Sequence, residues 1–250
     1  VQTYFVASDQ WNSESVHITG EDTHHISRVM RMSPGDVVTC IHPDGKAALC
    51  KITEIQQDRV DCQIVEWQEW QSELPIQVTV VQALGKHDKL DMVVQKGTEL
   101  GADGFIPFQA DRSIAKWDEK KAAKKVERLR KIAKEAGEQS GRTKMPEVEG
   151  LYTLQNVLAS AEHFDKKVFA YEDEVRAKQH HALSAVFKET QAGESMMVVI
   201  GPEGGFSERE VEKMTQHGFQ SVRLGRRILR TETAPLYFLS CVSYHYEELR

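Results

Sequence analysis

From residue 76 onward, short apolar runs alternate with amphipathic segments of helical period, and this alternation narrows the possible architectures more than any other feature. "IQVTVVQAL" (76–84), "GFIPF" (104–108), "KKVFAYE" (166–172), "MMVVIG" (196–201) and "SVRLG" (221–225) read as strands. In "DKLDMVVQKGTELG" the apolar residues Leu90, Val93, Val94 and Leu100 fall at helical spacing. "WDEKKAAKKVERLRKIAKEAGEQS" reads as a long helix rich in lysine, and "SEREVEKMTQHG" as a helix closed by Gly218. "APLYFLSCVSYHYEEL" reads as a last helix with Pro235 in its first turn, where a missing N–H costs nothing. Strands alternating with helices predict an α/β domain with a mostly parallel sheet and flanking helices.

The first seventy residues follow a different pattern. Alternating runs at 37–41, 47–55 and 59–66 are separated by "HPDGK" and "QQDR", and one helix-like piece, "EDTHHISRVMRM", precedes them. Short strands at this spacing predict a small closed β-barrel. "QEWQSELP", ending at Pro75, reads as the linker, so the expected domains are 1–72 and 73–250.

Charge divides along the same line. The chain of 250 residues has a formal net charge of −6. Residues 1–72 carry 5 Lys and Arg against 11 Asp and Glu, whereas 73–250 carry 27 of each. A nucleic-acid partner would therefore be held by local patches and not by the net field. The richest patch is 116–134, with nine Lys and Arg against three Asp and Glu; such a run is either a solvated face or a set of phosphate contacts. Cys40, Cys50, Cys62 and Cys241 are widely spaced, as expected of reduced thiols. The pairs His24-His25 and His180-His181 lack further ligands at metal spacing, so no metal is expected. No apolar run reaches membrane-span length and "VQTYFVASDQ" lacks a signal pattern, so the expected location is cytoplasmic.

"VVIGPEGGFSERE" (198–210) is the most informative loop. Ser207 and Glu210 fit a capping box, which starts a helix at 208 and leaves 201–206 between a strand end and a helix N-terminus. Open α/β sheets bind ligands at such places. No Lys or Thr follows the glycines, so this is not a phosphate-binding Walker loop, and the chain contains no GxGxxG. Glu203 suits a neutral or cationic ligand instead. A second loop, "LGRRILRTETAP" (224–235), leaves another strand through Gly225 and brings Arg226, Arg227 and Arg230 beside Glu232.

These two stretches, "IGPEGGFSEREVE" and "LGRRILRTETAPLYFLS", resemble the C-terminal signatures of the RsmE family, ribosomal RNA uridine-N3 methyltransferases of the SPOUT class. "HHISRVMRMSPGD" (24–36), "DKLDMVVQKGTELGADGFIPFQADRS" (88–113) and "EQSGR" (138–142) resemble its other signatures, so the likeness runs over essentially the whole chain. It implies a trefoil-knotted, SPOUT-type α/β domain behind a PUA-like RNA-binding barrel. It also implies S-adenosyl-L-methionine as cofactor, small-subunit (16S) ribosomal RNA as substrate and a homodimer.

The resemblance places the cofactor in three loops. The first holds Ala170, Tyr171 and Glu172; the second holds Ile200, Gly201, Pro202, Glu203, Gly204 and Gly205. The third runs through Leu224, Gly225, Ile228, Leu229, Arg230, Thr231, Glu232, Thr233 and Ala234. Backbone groups there can bind the adenine edge, and Gly204 and Gly205 are expected to leave the cofactor room. Methyl transfer to N3 needs in-line placement and loss of the imide proton. A cation can stabilise the developing imidate and a carboxylate can take the proton. Arg112 and Arg230 are the first cationic candidates, with Arg142 beside them; Glu99, Glu138 and Glu232 are the carboxylates, and each of the six has an ordinary ion pair as its alternative. For RNA, His24, His25, Arg28 and Arg31 lie in one stretch, and helical spacing would align 24, 28 and 31. In the last helix Leu236, Leu239, Val242, Tyr246 and Leu249 form one apolar stripe, and Tyr237, Cys241 and Tyr244 another. A helix apolar on two sides is buried on two sides, against its own sheet and either a partner subunit or a thicker core. Two other readings stay open: a non-catalytic RNA-binding protein, and a small-molecule nucleotide enzyme using the same glycine loops.

Overall fold

The computed structural model describes residues 1–86, 89–171 and 182–249. The chain divides into two compact units, Val1–Glu73 with Gly137–Met145, and Leu74–Ala136 with Pro146–Arg250. The sequence reading ends the first domain one residue earlier, and it does not foresee that 137–145 rejoins it.

The first unit is a five-stranded sheet of β1 (Gln2–Phe5), β2 (Ser15–Thr19), β3 (Val37–Ile41), β4 (Ala47–Ile55) and β5 (Arg59–Gln68), in the order β1-β3-β4-β5-β2. β1 and β3 run parallel, and the other pairs are antiparallel. Inward residues of all five strands, among them Tyr4, Ile18, Val38, Ile52 and Val60, meet in one buried cluster. Pairing ends at β1 and β2, so hydrogen bonds do not close the expected barrel. Bulges at Leu49/Cys50 and Ile52/Glu54 break the β4–β5 register, and bulges are where strands bend. Cys40, Cys50 and Cys62 are free and buried here. The returning segment is held by Glu73, whose carboxylate accepts from the Arg142 guanidinium, from the Thr143 and Lys144 N–H groups and from the Thr143 hydroxyl. Arg142 itself is only 3% exposed.

"EDTHHISRVMRM" is less regular than its spacing predicts. A single α-turn, α1 (Glu21–His24), passes into a π-helical turn at His25–Val29. Helical geometry stops at Met30, and Arg31 sits in the left-handed region with φ 52°. The expected alignment of 24, 28 and 31 along one helix face therefore fails at Arg31.

The second unit contains β6 (Gln77–Ala83), β7 (Gly104–Phe108), β8 (Glu147–Val148), β9 (Lys166–Ala170), β10 (Ser195–Ile200) and β11 (Gln220–Val222). All neighbours are parallel, in the order β11-β9-β10-β6-β7-β8. The helices are α2 (Lys89–Glu99), α3 (Glu119–Gln139, its last turn counted with the first unit), α4 (Leu154–Ser160), α5 (Leu183–Lys188), α6 (Glu208–Gln216) and α7 (Thr233–Ser243). Successive strand residues alternate between two cores, so the sheet is covered on both faces, as parallel sheets are. Val78, Val80, Met196 and Val198 pack with Leu90, Leu129, Phe238 and Leu239 of α2, α3 and α7. Val81, Met197 and Val199 pack with Val157 and Met214 of α4 and α6. No helix among the described residues is long and apolar enough to cross a membrane.

The parallel register has one consequence for the site. The segments that leave β6, β9, β10 and β11 all emerge at the same edge of the sheet.

Candidate active site

The 201–206 loop is a rigid turn. Ser207 caps α6 through the Glu210 N–H, and Glu210, fully buried, answers by accepting from the Ser207 N–H. The other Glu210 oxygen accepts from the N–H of Asp111, 2.8 Å away, which straps the loop after β7 to the loop after β10. Asp111 adds the Ser207 hydroxyl at 2.6 Å and the Arg209 guanidinium, and these partners hold its carboxyl below the usual range. Arg112 donates to the Gly204 carbonyl at 3.2 Å. A Cβ on Gly204 would lie 3.3 Å from the Arg112 Cβ, so this glycine makes room for the Arg112 stem, and it is not among the residues that line the cavity described below. Gly205 has φ +66° and open space around it, a position where an L side chain is strained.

The 224–234 loop is tied in from the other side. Thr231 donates its hydroxyl to the Gly201 carbonyl at 2.7 Å and accepts from the Gln82 amide at 2.9 Å. Lys89 completes the clamp, with its Nζ 3.0 Å from Glu203 and 3.0 Å from Glu232. Burial pushes both carboxyls up, yet their own N–H groups and the shared ammonium outweigh it and leave both below the ordinary range. The two carboxylates in turn raise the Lys89 pKa, Glu203 first.

Together these loops enclose a cavity of about 570 Å³, within the range of cofactor sites. Ile200, Phe206, Leu224, Ile228, Leu229 and Ala234 form its apolar wall, and Ala170, Tyr171, Gly201, Pro202 and Gly205 add backbone. Its charged lining is Lys89, Arg112, Glu203 and Arg230. Such a site takes a ligand with a flat or apolar body, backbone hydrogen bonds at its edge and a cationic centre beside carboxylates. The donor set thus fits S-adenosylmethionine, whose sulfonium is a cation and whose adenine is neutral.

The other expected residues are distributed as follows. Gly225, Glu232 and Thr233 lie in the same loop region without lining the cavity. Glu172 and the His180-His181 pair fall outside the described residues. Glu99 pairs with Lys96 on α2, and Glu138 accepts from the Phe5 N–H in the first unit, where Arg142 is held by Glu73. Among the RNA candidates His24, Arg28 and Arg31 are exposed beside Val29 and Met30, whereas the His25 ring is 3.0 Å from the Tyr4 hydroxyl. Lys89, Phe206 and Gln82 belong to the site but were not foreseen; only contacts across more than a hundred residues reveal Lys89 and Gln82. Among the described residues no group of three or more His, Cys, Asp or Glu is placed to hold a metal ion.

A family profile described as an RNA methyltransferase domain matches residues 72–243, and one described as an RNA methyltransferase PUA domain matches 18–65. The chain is 47% identical over 253 positions, 100% of its own length and 99% of the relative's, to ribosomal RNA small subunit methyltransferase E of Bacillus subtilis. Among solved structures, a putative methyltransferase of Legionella pneumophila in complex with bound SAM aligns at TM-score 0.84 and 27% identity over 97% of each chain. A ribosomal RNA small subunit methyltransferase E of Neisseria gonorrhoeae bound to S-adenosyl methionine aligns at 0.82 and 26% over 98% of each. Two profiles, a full-length relative and a shared fold agree: this chain belongs to the ribosomal RNA small subunit methyltransferase E family.

Proposed function

We propose that this protein transfers a methyl group from S-adenosylmethionine to N3 of a uridine in small-subunit ribosomal RNA, as a cytoplasmic homodimer with a trefoil-knotted catalytic domain. The single observation that carries the reading is the cavity beyond β10 and β11, where Glu203, Arg112 and Arg230 meet an apolar, backbone-rich wall. The cofactor supplies an electrophilic methyl carbon on a sulfonium. Ile200, Leu224, Leu229 and Ala234 would hold its apolar body, and Glu203 would supply negative charge beside the sulfonium. As N3 attacks, the carbon–sulfur bond breaks, the nitrogen–carbon bond forms and the N3 proton must leave.

Arg112 and Arg230, both lining the cavity, are placed to stabilise the imidate that this creates. Glu232, joined to the cavity lining through Lys89, is the proton acceptor of this reading, reached through one water, and is ionised at neutral pH. Its depressed pKa makes it a weak base, so the arginines must carry most of the work of acidifying N3. Glu99, Glu138 and Arg142 are engaged in the pairs described above and take structural roles. Recognition of RNA falls to the first unit, through His24, Arg28 and Arg31.

The homodimer is supported by the second stripe of α7. Tyr237, Cys241 and Tyr244 line an apolar cavity of about 660 Å³ with Leu183, Phe187 and Leu249. The test of the reaction is methyl transfer from labelled S-adenosylmethionine to small-subunit RNA, with mass mapping of the modified nucleoside. A label at any atom other than uridine N3 overturns the N3 assignment, and no label in RNA overturns the whole reading.

A further inference from the structure

The lysine-rich segment 116–134 has no part in the chemistry above, and its cations divide into two groups. Toward the C-terminal end of α3, Arg128 pairs with Asp91 at 2.5 Å and Arg130 donates to the Val148 carbonyl. Lys125, Lys131 and Lys134 also have partners. Lys116, Lys120, Lys121 and Lys124 are exposed, and no carboxylate among the described residues forms an ion pair with them.

Their position works against the fold. Asp118 caps α3, accepting the Lys121 N–H at 2.8 Å, and Glu119 is the only acid in the first turn. A helix N-terminus carries partial positive charge, so Lys120 and Lys121 sit where cations are least favoured. Lys120 and Lys124 are also one turn apart, as are Lys121 and Lys125, and like charges at that spacing repel. Exposed lysines that break two local rules with no ion pair of their own among the described residues mark a place where something outside the fold supplies the compensation.

What it faces is set by the chain path. The connection from β7 to α3 begins at Asp111 and Arg112, which are strapped to the 201–206 loop. The Gln109 amide pins it again at the Ala115 carbonyl, 3.1 Å away, just before Lys116. The unpaired lysines therefore follow directly, along a fixed connection, from an arginine that lines the cavity.

We propose that Lys116, Lys120, Lys121 and Lys124 form an edge that docks the phosphate backbone of the RNA flanking the target nucleotide. The proposal rests on the methyltransferase reading and adds to it a second RNA contact, in the catalytic unit. A polyanion is the occupant that charge complementarity selects: it would offset both the repulsion among the lysines and their clash with the helix dipole.

The test uses the full-length protein and two variants, the quadruple Lys→Gln change and Lys120→Glu/Lys124→Glu. Binding of a small-subunit ribosomal RNA fragment is measured across a salt series, beside S-adenosylmethionine affinity, thermal midpoint and single-turnover methylation. For the quadruple variant the slope of log K against log salt should fall by roughly 3. Cofactor affinity should hold, and saturating RNA should restore methylation. Both variants should melt no lower than the parent, and the charge reversal should melt higher, because acids favour a helix N-terminus. Unchanged RNA affinity and salt slope in a folded, methylating variant would overturn the docking edge alone. A lower melting point with unchanged RNA binding would do the same by showing a structural role. A parent protein that transfers no methyl group to RNA would overturn the reading beneath it, before any lysine is changed.

Discussion

Arg112 and Gly204 lie ninety-two positions apart, yet the arginine donates to the glycine's carbonyl at 3.2 Å and holds its own Cβ 3.3 Å from where a Cβ on Gly204 would stand. Substitution at Gly204 therefore acts through Arg112. Gly204→Val should slow methyl transfer, while S-adenosylmethionine affinity changes little. Arg112→Ala should slow it by on the order of 100-fold, the usual loss for one charge stabiliser. Gly205→Val differs: the left-handed backbone there costs about 1–2 kcal/mol for a residue with a Cβ, so stability falls first. Calorimetry beside single-turnover rates separates the cases, and a Gly204→Val protein with much weaker cofactor affinity but a normal rate at saturating S-adenosylmethionine would reverse the assignment.

Lys89 is shared by two carboxylates, and its loss should appear as a shift along the pH axis. Its ammonium helps to hold Glu203 and Glu232 below their ordinary range, so both stay ionised at lower pH than free carboxylates do. In Lys89→Met that pull is gone, and the two carboxylates of the clamp would lose their common partner. Both pKa values should rise, and the acid-side loss of cofactor affinity should move to higher pH. Calorimetric titration between pH 4 and 8 reads the midpoint directly. If it stays in place, the carboxylates do not serve the cofactor.

Much of this arrangement can be read in the sequence, for reasons that particular residues make clear. β3, β4, β6, β7 and β10 match their apolar runs, and Ser207 with Glu210 placed the start of α6 to the residue. What sequence could not give depends on distant contacts. Lys89 looks like an ordinary helix-start lysine until β6 and β10 pair and bring Glu203 to it. Arg142 stands in the sequence as a catalytic candidate, because nothing local predicts that 137–145 returns to Glu73. β1 and β2 are too short to read from their own residues, since their register is fixed only by pairing with β3 and β5. α4, capped by Thr153 and Asn156, was missed because seven residues show barely two turns of periodicity.

The Glu73–Arg142 clamp carries a stability prediction with a defined sign. Burial raises the Glu73 pKa, but Arg142 and the Thr143 and Lys144 N–H groups outweigh it, and the net shift is downward. A depressed folded-state pKa stabilises fully above the unfolded value of about 4.3, and that contribution fades as pH falls through the folded value. Glu73→Gln leaves the buried Arg142 without its carboxylate and should cost about 3 kcal/mol at pH 7. The deficit should shrink in acid, where the parent loses its own advantage. Urea unfolding at pH 7 and pH 4 tests this; a deficit that is equal at both would show that the charge contributes nothing.

Arg31 offers the sharpest test of the RNA surface proposed on the first unit. It is the one non-glycine residue with positive φ among those described, exposed beside Met30 and Arg28. Left-handed backbone costs a residue with a Cβ about 1–2 kcal/mol, and among the described residues no hydrogen bond or ion pair of the Arg31 side chain offsets it. Strain kept without an internal return points outward, to a partner. Arg31→Gly should therefore raise the unfolding free energy by up to about 1 kcal/mol and at the same time weaken RNA binding, lowering the salt slope by roughly 1. Arg28 and Arg31 changed together to Ala should lower it by roughly 2. Cofactor affinity should hold in both, since the cavity is built entirely from the second unit. His25→Ala should behave differently, destabilising the fold through the Tyr4 contact and leaving the salt slope unchanged in whatever protein folds. A stabilised Arg31→Gly protein with undiminished RNA affinity would remove Arg31 from the interface and leave its backbone strain without a functional account.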